Sequence, residues 1–293
     1  MRNLFFSCYC ILTLSLLAPF SAYAGDDELS IINDSRDSFQ VADNVPDTVT
    51  LLSDFLRSEG FDILLTVDHA GSAAAVGLEL APTQVIFARQ PRRIERRLLQ
   101  RSETIGIDLP LKFLVFKRDG EVHLDVNATG YLIDRHDVRL EDHLLGLIDS
   151  KIKRVSDAPE GLLTVKSLQS LDVTVETFLA TISAIPAFRI PLVLDYSSAQ
   201  NEDDEDDNER RAPLLIVIGN PNVGTPLMQA NQRIGIDLPQ KFLFWEDRHG
   251  NVNITYNDPR FLAERHDVQG VDARLAGIAN ALRNFALIAA GIN

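Results

Sequence analysis

The sequence predicts an α+β fold of two homologous two-layer domains, each a largely antiparallel sheet with helices packed on one face, related by a pseudo-two-fold axis. The first observation is internal repetition: residues 105–110 (IGIDLP) recur as residues 234–239, and residues 135–137 (RHD) recur as residues 265–267. The second is that each copy mixes short β-branched or aromatic runs with segments of helical spacing. The repeat distance of 129 to 130 residues is the size of a domain, not of a solenoid unit.

Local patterns predict the elements within each repeat. Apolar positions at helical spacing predict helices, β-branched and aromatic runs predict strands, and Asp119-Gly120 between two alternating runs predicts a hairpin. In chain order the first repeat is predicted to contain a helix at residues 45–59, strands at 61–67 and 84–88, a helix at 91–103, and hairpin strands at 112–117 and 121–127. In the second repeat residues 248–250 take the hairpin turn, and an apolar stripe from Val271 to Phe285 predicts the closing helix.

Residues 1–24 differ from the rest of the chain. Arg2 supplies a positive charge, residues 4–18 are almost wholly apolar, and Ala22-Tyr23-Ala24 is a small-x-small cleavage signal. We expect a signal peptide cleaved near Ala24 and export to the bacterial periplasm or the medium. The predicted domain bounds are therefore 1–24 for the signal peptide, 25–158 for the first repeat and 159–293 for the second.

Composition excludes several functional classes. The net charge is −14, and it becomes −15 without the signal peptide, so the protein should repel nucleic acids and anionic membranes. Both cysteines, Cys8 and Cys10, lie in the signal peptide, so the mature chain has no thiol for a disulfide, a nucleophile or a metal. Beyond residue 24 no segment approaches the roughly 18 to 20 apolar residues of a membrane helix. We expect no nucleic-acid partner and no membrane span.

Four short motifs follow one another along the repeats: Asp-His-Ala after the second strand, Gly-Asn-Pro after the third, Gly-x-Asp-Leu-Pro before the hairpin and Arg-His after it. This order bears a resemblance to the domain of unknown function 302 family. The resemblance covers nearly the whole mature chain as two tandem copies. It implies a compact α+β domain without an agreed biochemical activity.

Each copy of the family pattern is incomplete in a different place. The first repeat has Asp-His-Ala at residues 68–70 but reads Arg-Gln-Pro at residues 89–91. The second has Gly-Asn-Pro at residues 219–221 but reads Asp-Tyr-Ser at residues 195–197. Either both sites have decayed, or the two half-sites face each other in one composite pocket.

Two histidines are the strongest candidates for chemistry. A neutral imidazole at His69 or His136 suits a general acid or base or a metal ligand, and Asp68 and Asp137 are neighbouring carboxylates. The alternative is structural, because such residues also cap helices and satisfy buried backbone groups.

Residues 219–225 have the spacing of a phosphate-binding loop between a strand and a helix, but Thr225 stands where the lysine should be. A plain strand-to-helix turn and a weak anion site both fit this segment.

Two charged segments complete the candidates. Residues 202–209 contain seven acids in eight residues, and six arginines from Arg89 to Arg101 predict a basic helix face. The acidic run is expected to be at most loosely held near that helix.

The sequence is therefore interpreted as an exported binding or interaction module, its repeats packed as an intramolecular pseudo-dimer around a pocket near His69, His136 and residues 219–221. The alternative is a periplasmic enzyme that uses His69 or His136 as general acid or base. No cofactor is expected, a divalent metal stays open, and no ligand or partner is identified. The candidate ligand-binding residues are Asp68, His69, Arg135, His136, Asp137, Asp195, Gly219, Asn220, Arg265, His266 and Asp267.

Overall fold

A computed structural model describes residues 42–127, 129–136, 138, 161–199 and 211–292. The predicted signal peptide, the closing helix of the first repeat, Asp137 and the acidic run 202–209 lie outside the described residues.

The first repeat forms a four-stranded antiparallel sheet in the order β1-β2-β3-β4. Its helix α1 begins with Asn44, whose side chain accepts a hydrogen bond from the Asp47 amide. The elements are α1 (Val45–Ser58), β1 (Asp62–Asp68), α2 (His69–Ala74), β2 (Thr83–Arg89), α3 (Arg92–Arg101), the 3-10 helix Glu103–Ile107, β3 (Leu111–Arg118), β4 (Glu121–Val126) and α4 (Thr129–His136).

Within the described residues, the second repeat has the same order of elements and one further strand. Its five-stranded sheet has the order β5-β9-β8-β7-β6, because β5 pairs antiparallel with β9. The elements are β5 (Leu162–Lys166), α5 (Leu171–Ser183), β6 (Arg189–Asp195), the 3-10 helix Tyr196–Ala199, β7 (Leu214–Gly219), α6 (Pro221–Ala230), the 3-10 helix Gln232–Asp237, β8 (Gln240–Glu246), β9 (Val252–Asn257), α7 (Pro259–Arg265) and α8 (Asp272–Ala289).

The two sheets pack face to face. Val85 and Leu114 of the first sheet belong to the same buried cluster as Leu215 and Leu243 of the second. Residues one position along each strand point the other way, towards the outer helices, because side chains alternate across a strand. Ile86 packs with α1, and Ile216 lies in the cluster formed with α5 and α8. The layers are therefore helix, sheet, sheet, helix, which agrees with the α+β class and the pseudo-two-fold predicted from the sequence.

The prediction that six arginines from Arg89 to Arg101 form a basic helix face is wrong for Arg89. Arg89 is the last residue of β2, is 7% exposed, and its Nε donates to Glu95 Oε2 of α3 over 2.8 Å. Burial of an arginine requires a paired carboxylate, and the buried Glu95 supplies it.

No helix within the described ranges is both long enough and apolar enough to cross a membrane.

Candidate functional site

The repeated motifs meet in a buried charge network between the two sheets. Asp108 and Asp237 come from the two copies of IGIDLP, and each lies against the arginine and histidine of its own copy's RH motif. The charge network comprises Asp108, Lys112, Asn127, Arg135, His136, Asp237, Lys241, Asn257, Arg265 and His266.

Within each repeat one carboxylate oxygen faces two donors. Asp108 Oδ2 accepts from Arg135 Nη1 at 2.7 Å and lies 2.9 Å from His136 Nε2. Asp237 Oδ2 accepts from Arg265 Nη1 and lies 2.8 Å from His266 Nε2. The two halves are thus built alike.

The remaining bonds cross from one repeat to the other. Lys112 Nζ donates to Asp237 Oδ1 at 2.8 Å, and Lys241 Nζ donates to Asp108 Oδ1 at 3.4 Å. Arg265 Nη2 donates to Asn127 Oδ1 at 2.8 Å. Each carboxylate therefore depends on a cation of the other repeat, and the network holds the two repeats together.

Burial and pairing set the charges in the network. Burial by itself raises the pKa of Asp108, but the cations of Arg135, Lys241 and Lys112 outweigh it and hold that pKa well below its ordinary value. Burial, with the Lys112 cation beside it, lowers the pKa of Lys241 well below its usual value. Because Asp108, Lys112 and Lys241 are at most 1% exposed, no ligand reaches them. We interpret the network as structural.

An apolar cavity of about 490 Å³ lies elsewhere, where α2 of the first repeat meets α6 and α8 of the second. We call it the His69 cavity. His69 lies on one side and Gly219, Asn220 and Pro221 lie on another. The first repeat keeps the Asp-His-Ala motif and the second keeps the Gly-Asn-Pro motif. Residues of both motifs therefore line one cavity, which is the geometry expected for a composite pocket.

His69 is neutral in this cavity. Its side chain is buried, and burial lowers its pKa from 6.5 to about 4. Nε2 lies 3.3 Å from the Gly235 carbonyl oxygen. A carbonyl oxygen only accepts, so Nε2 carries the proton and Nδ1 is a hydrogen-bond acceptor.

Two buried polar atoms of the cavity residues have no hydrogen-bond partner among the described residues. They are Thr225 Oγ1, whose residue is 1% exposed, and Gln240 Oε1, whose residue is 9% exposed. Asn220 differs, since its Oδ1 accepts from the Asn222 amide and caps α6. Unpaired buried polar atoms are costly, so the hydrogen bonding of the cavity wall is incomplete at Thr225 and Gln240.

In the other half of the molecule, the position that corresponds to the His69 cavity is occupied by side chains of the protein. Tyr196 takes the place of His69, is fully buried, and its hydroxyl lies 2.8 Å from both the Gly106 and Leu109 carbonyl oxygens. The Arg89–Glu95 ion pair is buried where the second repeat has Gly219 and the start of α6. One half of the molecule thus keeps an open cavity and the other half closes it.

The other predicted site residues that the structure describes lie outside the His69 cavity. Asp68 Oδ1 accepts from the Gly71 amide and Asp195 Oδ1 from the Ser197 amide, so both exposed carboxylates cap their own turns. Asp267 adopts a left-handed backbone conformation with φ 50°.

The four RH residues Arg135, His136, Arg265 and His266 belong to the charge network. The expectation of a single pocket near both His69 and His136 is therefore wrong for His136, because its ring bonds to Asp108 in the network.

Several residues of both sites were missed by sequence reasoning. Asp108, Lys112, Asp237 and Lys241 lie within the repeated motifs, and that repetition was a signal that could have found them. Thr225 was noted only as a missing lysine, and Gln240 carries no local motif.

The described part of the chain contains no evident set of metal ligands. No group of three or more histidine, cysteine, aspartate or glutamate residues is arranged to hold an ion within those ranges.

A family model described as "Domain of unknown function DUF302" matches residues 38–158 and 163–285. The chain belongs to the DUF302 family. Both tandem copies predicted from the sequence are therefore confirmed as DUF302 repeats, while their exact bounds stay predictions.

Two kinds of known protein are similar to this DUF302 chain. The crystal structure of an uncharacterized conserved DUF302 protein from Bacillus stearothermophilus is 16% identical, with a TM-score of 0.39, and the match covers 44% of this chain and 98% of that one. Fluoride-specific ion channel FluC 1 of Brucella suis biovar 1 (strain 1330) is 54% identical over 54 residues, which are 18% of this chain and 21% of that protein. Fluoride-specific ion channel FluC 2 of Brucella melitensis biotype 1 matches over the same length and covers 20% of that protein. The chain thus spans about a fifth of the length of these curated relatives.

Proposed function

We propose that this DUF302 protein binds a small organic anion with an apolar body in the His69 cavity. A volume of about 490 Å³ falls within the roughly 300 to 1,000 Å³ typical of small-molecule sites. The lining is mostly apolar, with side chains such as Phe188, Met228 and Ile278. Apolar walls with a few polar groups favour a ligand that has one polar end.

The observation that carries the proposal is that one half of the molecule keeps an open, mostly apolar cavity where the other half holds the buried Tyr196 and the Arg89–Glu95 ion pair. The fold does not require an open space here, because Tyr196 fills the equivalent position in the other half. A protein that needed only a scaffold would gain packing by closing both positions.

The charges at the cavity favour an anionic end on the ligand. Among the residues that the structure describes, its lining includes the exposed arginines Arg189 and Arg274 and no aspartate or glutamate. His69 is neutral above pH about 4 and offers an acceptor, so it suits a ligand hydroxyl or amide more than a second carboxylate.

Residues 1–24 of the sequence support a site of action outside the cytoplasm. We infer export to the periplasm or the medium, and secretion of a tagged full-length chain, with sequencing of the mature N-terminus, tests it.

Filling the cavity mouth should abolish binding. Gly277 lies on α8 and lines the cavity, and a Cβ built on it meets no atom within 4 Å, so Gly277→Leu places a side chain in open space. We expect isothermal titration with decanoate to show micromolar binding to the unaltered protein and at least tenfold weaker binding to Gly277→Leu. Helix propensity favours the substitution by somewhat under 1 kcal/mol, so the loss will not come from unfolding.

A matched variant controls for the change of helix surface. Ala276 is the exposed neighbour on α8 and does not line the cavity, so Ala276→Leu should bind decanoate as before. Arg274→Gln should weaken decanoate binding about two- to fivefold and leave decanol binding unchanged, since an exposed arginine contributes at most about 1 kcal/mol. Equal decanoate affinity in the unaltered protein and in Gly277→Leu would exclude this cavity as the site.

A second candidate function is acyl transfer at Thr104. Its Oγ1 lies 3.1 Å from His136 Nδ1, and His136 Nε2 lies 2.9 Å from Asp108 Oδ2, which gives the hydroxyl–imidazole–carboxylate order of a hydrolase triad. Arg135 also binds Asp108 and weakens its support for a protonated imidazole, so we rank this function second. Hydrolysis of p-nitrophenyl acetate that disappears in Thr104→Val and in His136→Gln would favour it, and a rate equal to that of buffer would exclude it.

A further inference from the structure

A second cavity, of about 520 Å³, opens beside the charge network at the Arg265 end. We call it the arginine cavity. Unlike the His69 cavity it is polar, and its lining includes Arg118, Arg233 and Arg265 against Asp125 and Asp267. Three arginines against two aspartates leave a positive formal charge in a protein whose net charge is −14.

Both aspartates of the arginine cavity already have partners. Asp125 Oδ2 lies 3.2 Å from Arg233 Nε, and Asp267 Oδ1 accepts from Gln269 Nε2 at 2.6 Å. Arg118 donates one bond, from Nη2 to Asn231 Oδ1 at 3.0 Å. Because a guanidinium has five N–H donors, Arg118 and Arg233 keep donors beyond these contacts.

Asn127 is a further residue of the arginine cavity, and its bond with Arg265 fixes the orientation of its side-chain amide. It lines the arginine cavity, is 6% exposed, and its Nδ2 has no hydrogen-bond partner among the described residues. The amide orientation follows from chemistry, since Oδ1 accepts from Arg265 Nη2 and a guanidinium only donates. Nδ2 must therefore be the unpaired atom, and Asn257 Nδ2 is unpaired in the same way in the other half of the molecule.

The corresponding place in the other half of the molecule also lies beside the charge network, but it lacks counterparts of Arg118 and Arg233. Thr104 corresponds to Arg233 and Asp247 corresponds to Arg118, when the residues are aligned on the IGIDLP and KFL motifs. The Asp108 half of the network is nevertheless complete. The fold therefore does not need Arg118 and Arg233, which are additions to one half.

We propose that the arginine cavity binds a small oxyanion of the phosphate class, either inorganic phosphate or the phosphate group of a small monoester. Arg118 and Arg233 would supply paired guanidinium donors to the oxyanion. The site is separate from the His69 cavity and does not depend on its ligand.

Phosphate titration tests the proposal. Heat measured by titration calorimetry at constant ionic strength should give saturable binding of phosphate to the full mature chain, and glycerol 3-phosphate in a parallel arm distinguishes a monoester from the free ion. Arg233→Thr should weaken the binding at least tenfold. The substitution copies Thr104, so the fold already accommodates threonine in the corresponding turn.

Three controls make the outcome decisive. Arg118→Gln should weaken binding in the same direction, whereas Arg57→Gln, at an exposed ion pair on α1, should leave it unchanged. Gly277→Leu should also leave it unchanged, which separates this site from decanoate binding. Phosphate binding no tighter than that of chloride, or full affinity in Arg233→Thr, would overturn the proposal.

Discussion

Replacing Asp237 with asparagine is expected to lower the free energy of unfolding by about 3 to 5 kcal/mol. The carboxylate is fully buried and is the counter-charge of both Lys112 and Arg265, so its loss leaves Arg265 without its buried anion and leaves Lys112 only the more distant Asp108 Oδ1, at 3.8 Å. Urea unfolding followed by circular dichroism measures the change. Asp54→Asn, at an exposed ion pair with Arg57, is the control and should cost less than about 0.5 kcal/mol.

A double-mutant cycle tests whether this effect crosses between the repeats. Lys112 belongs to the first repeat and Asp237 to the second, and the Lys112 Nζ–Asp237 Oδ1 distance is 2.8 Å. The double variant Lys112→Met with Asp237→Asn should be more stable than the sum of the single losses by at least about 1 kcal/mol. Additive losses, or a cost below about 1 kcal/mol for Asp237→Asn alone, would mean that the network does not hold the repeats together.

The second large effect is a dependence of stability on pH that arises from His69. Its pKa is about 4 in the folded protein and about 6.5 when unfolded, so between these values the unfolded chain binds a proton that the folded chain does not. Stability should therefore fall as pH falls from 6.5 to 4, by up to about 3 kcal/mol from this residue alone.

His69→Tyr isolates this contribution, because Tyr196 already occupies the equivalent position with its hydroxyl bonded to backbone carbonyls. The difference in unfolding free energy between the unaltered protein and His69→Tyr should change by about 3 kcal/mol between pH 7 and pH 4. Parallel pH curves for the two proteins would contradict a neutral, buried His69. The lowered pKa values of Asp108 and Asp237 act in another window, since their contribution is present above pH about 4 and is lost below it.

Repetition made the fold predictable, and it also limited what could be predicted of the sites. The duplicated IGIDLP and RHD segments located both domains, and the strand and hairpin patterns gave β1 to β4 nearly at their observed bounds. The sequence analysis predicts no strand directly after the domain boundary at residues 158–159, whereas Leu162–Lys166 forms β5, a sheet edge against β9. A strand of five residues that pairs only with a distant strand has no local turn signal to mark it.

Complementary motifs in the sequence associate the residues of the His69 cavity. The structural role of the histidines in the charge network depends on burial, which the motifs do not reveal. The complementary half-motifs associate His69 with residues 219–221, since each repeat retains what the other lacks, and these residues line the His69 cavity. His136 was predicted as a catalytic candidate and His266 as a ligand-binding residue, yet each lies against a buried aspartate of the charge network. Only the face-to-face packing of the sheets makes those groups structural, and a single sequence does not encode that packing in any local pattern.

A crystal structure of the protein soaked with decanoate tests the central claim most directly. The account predicts electron density for the ligand between α2, α6 and α8, with its chain against Met228 and Ile278 and its carboxylate towards Arg274, and no density beside Tyr196. The same soak of Gly277→Leu should leave the cavity without ligand. A cavity that stays without ligand density in the unaltered protein at saturating decanoate, or density only outside it, would contradict the account.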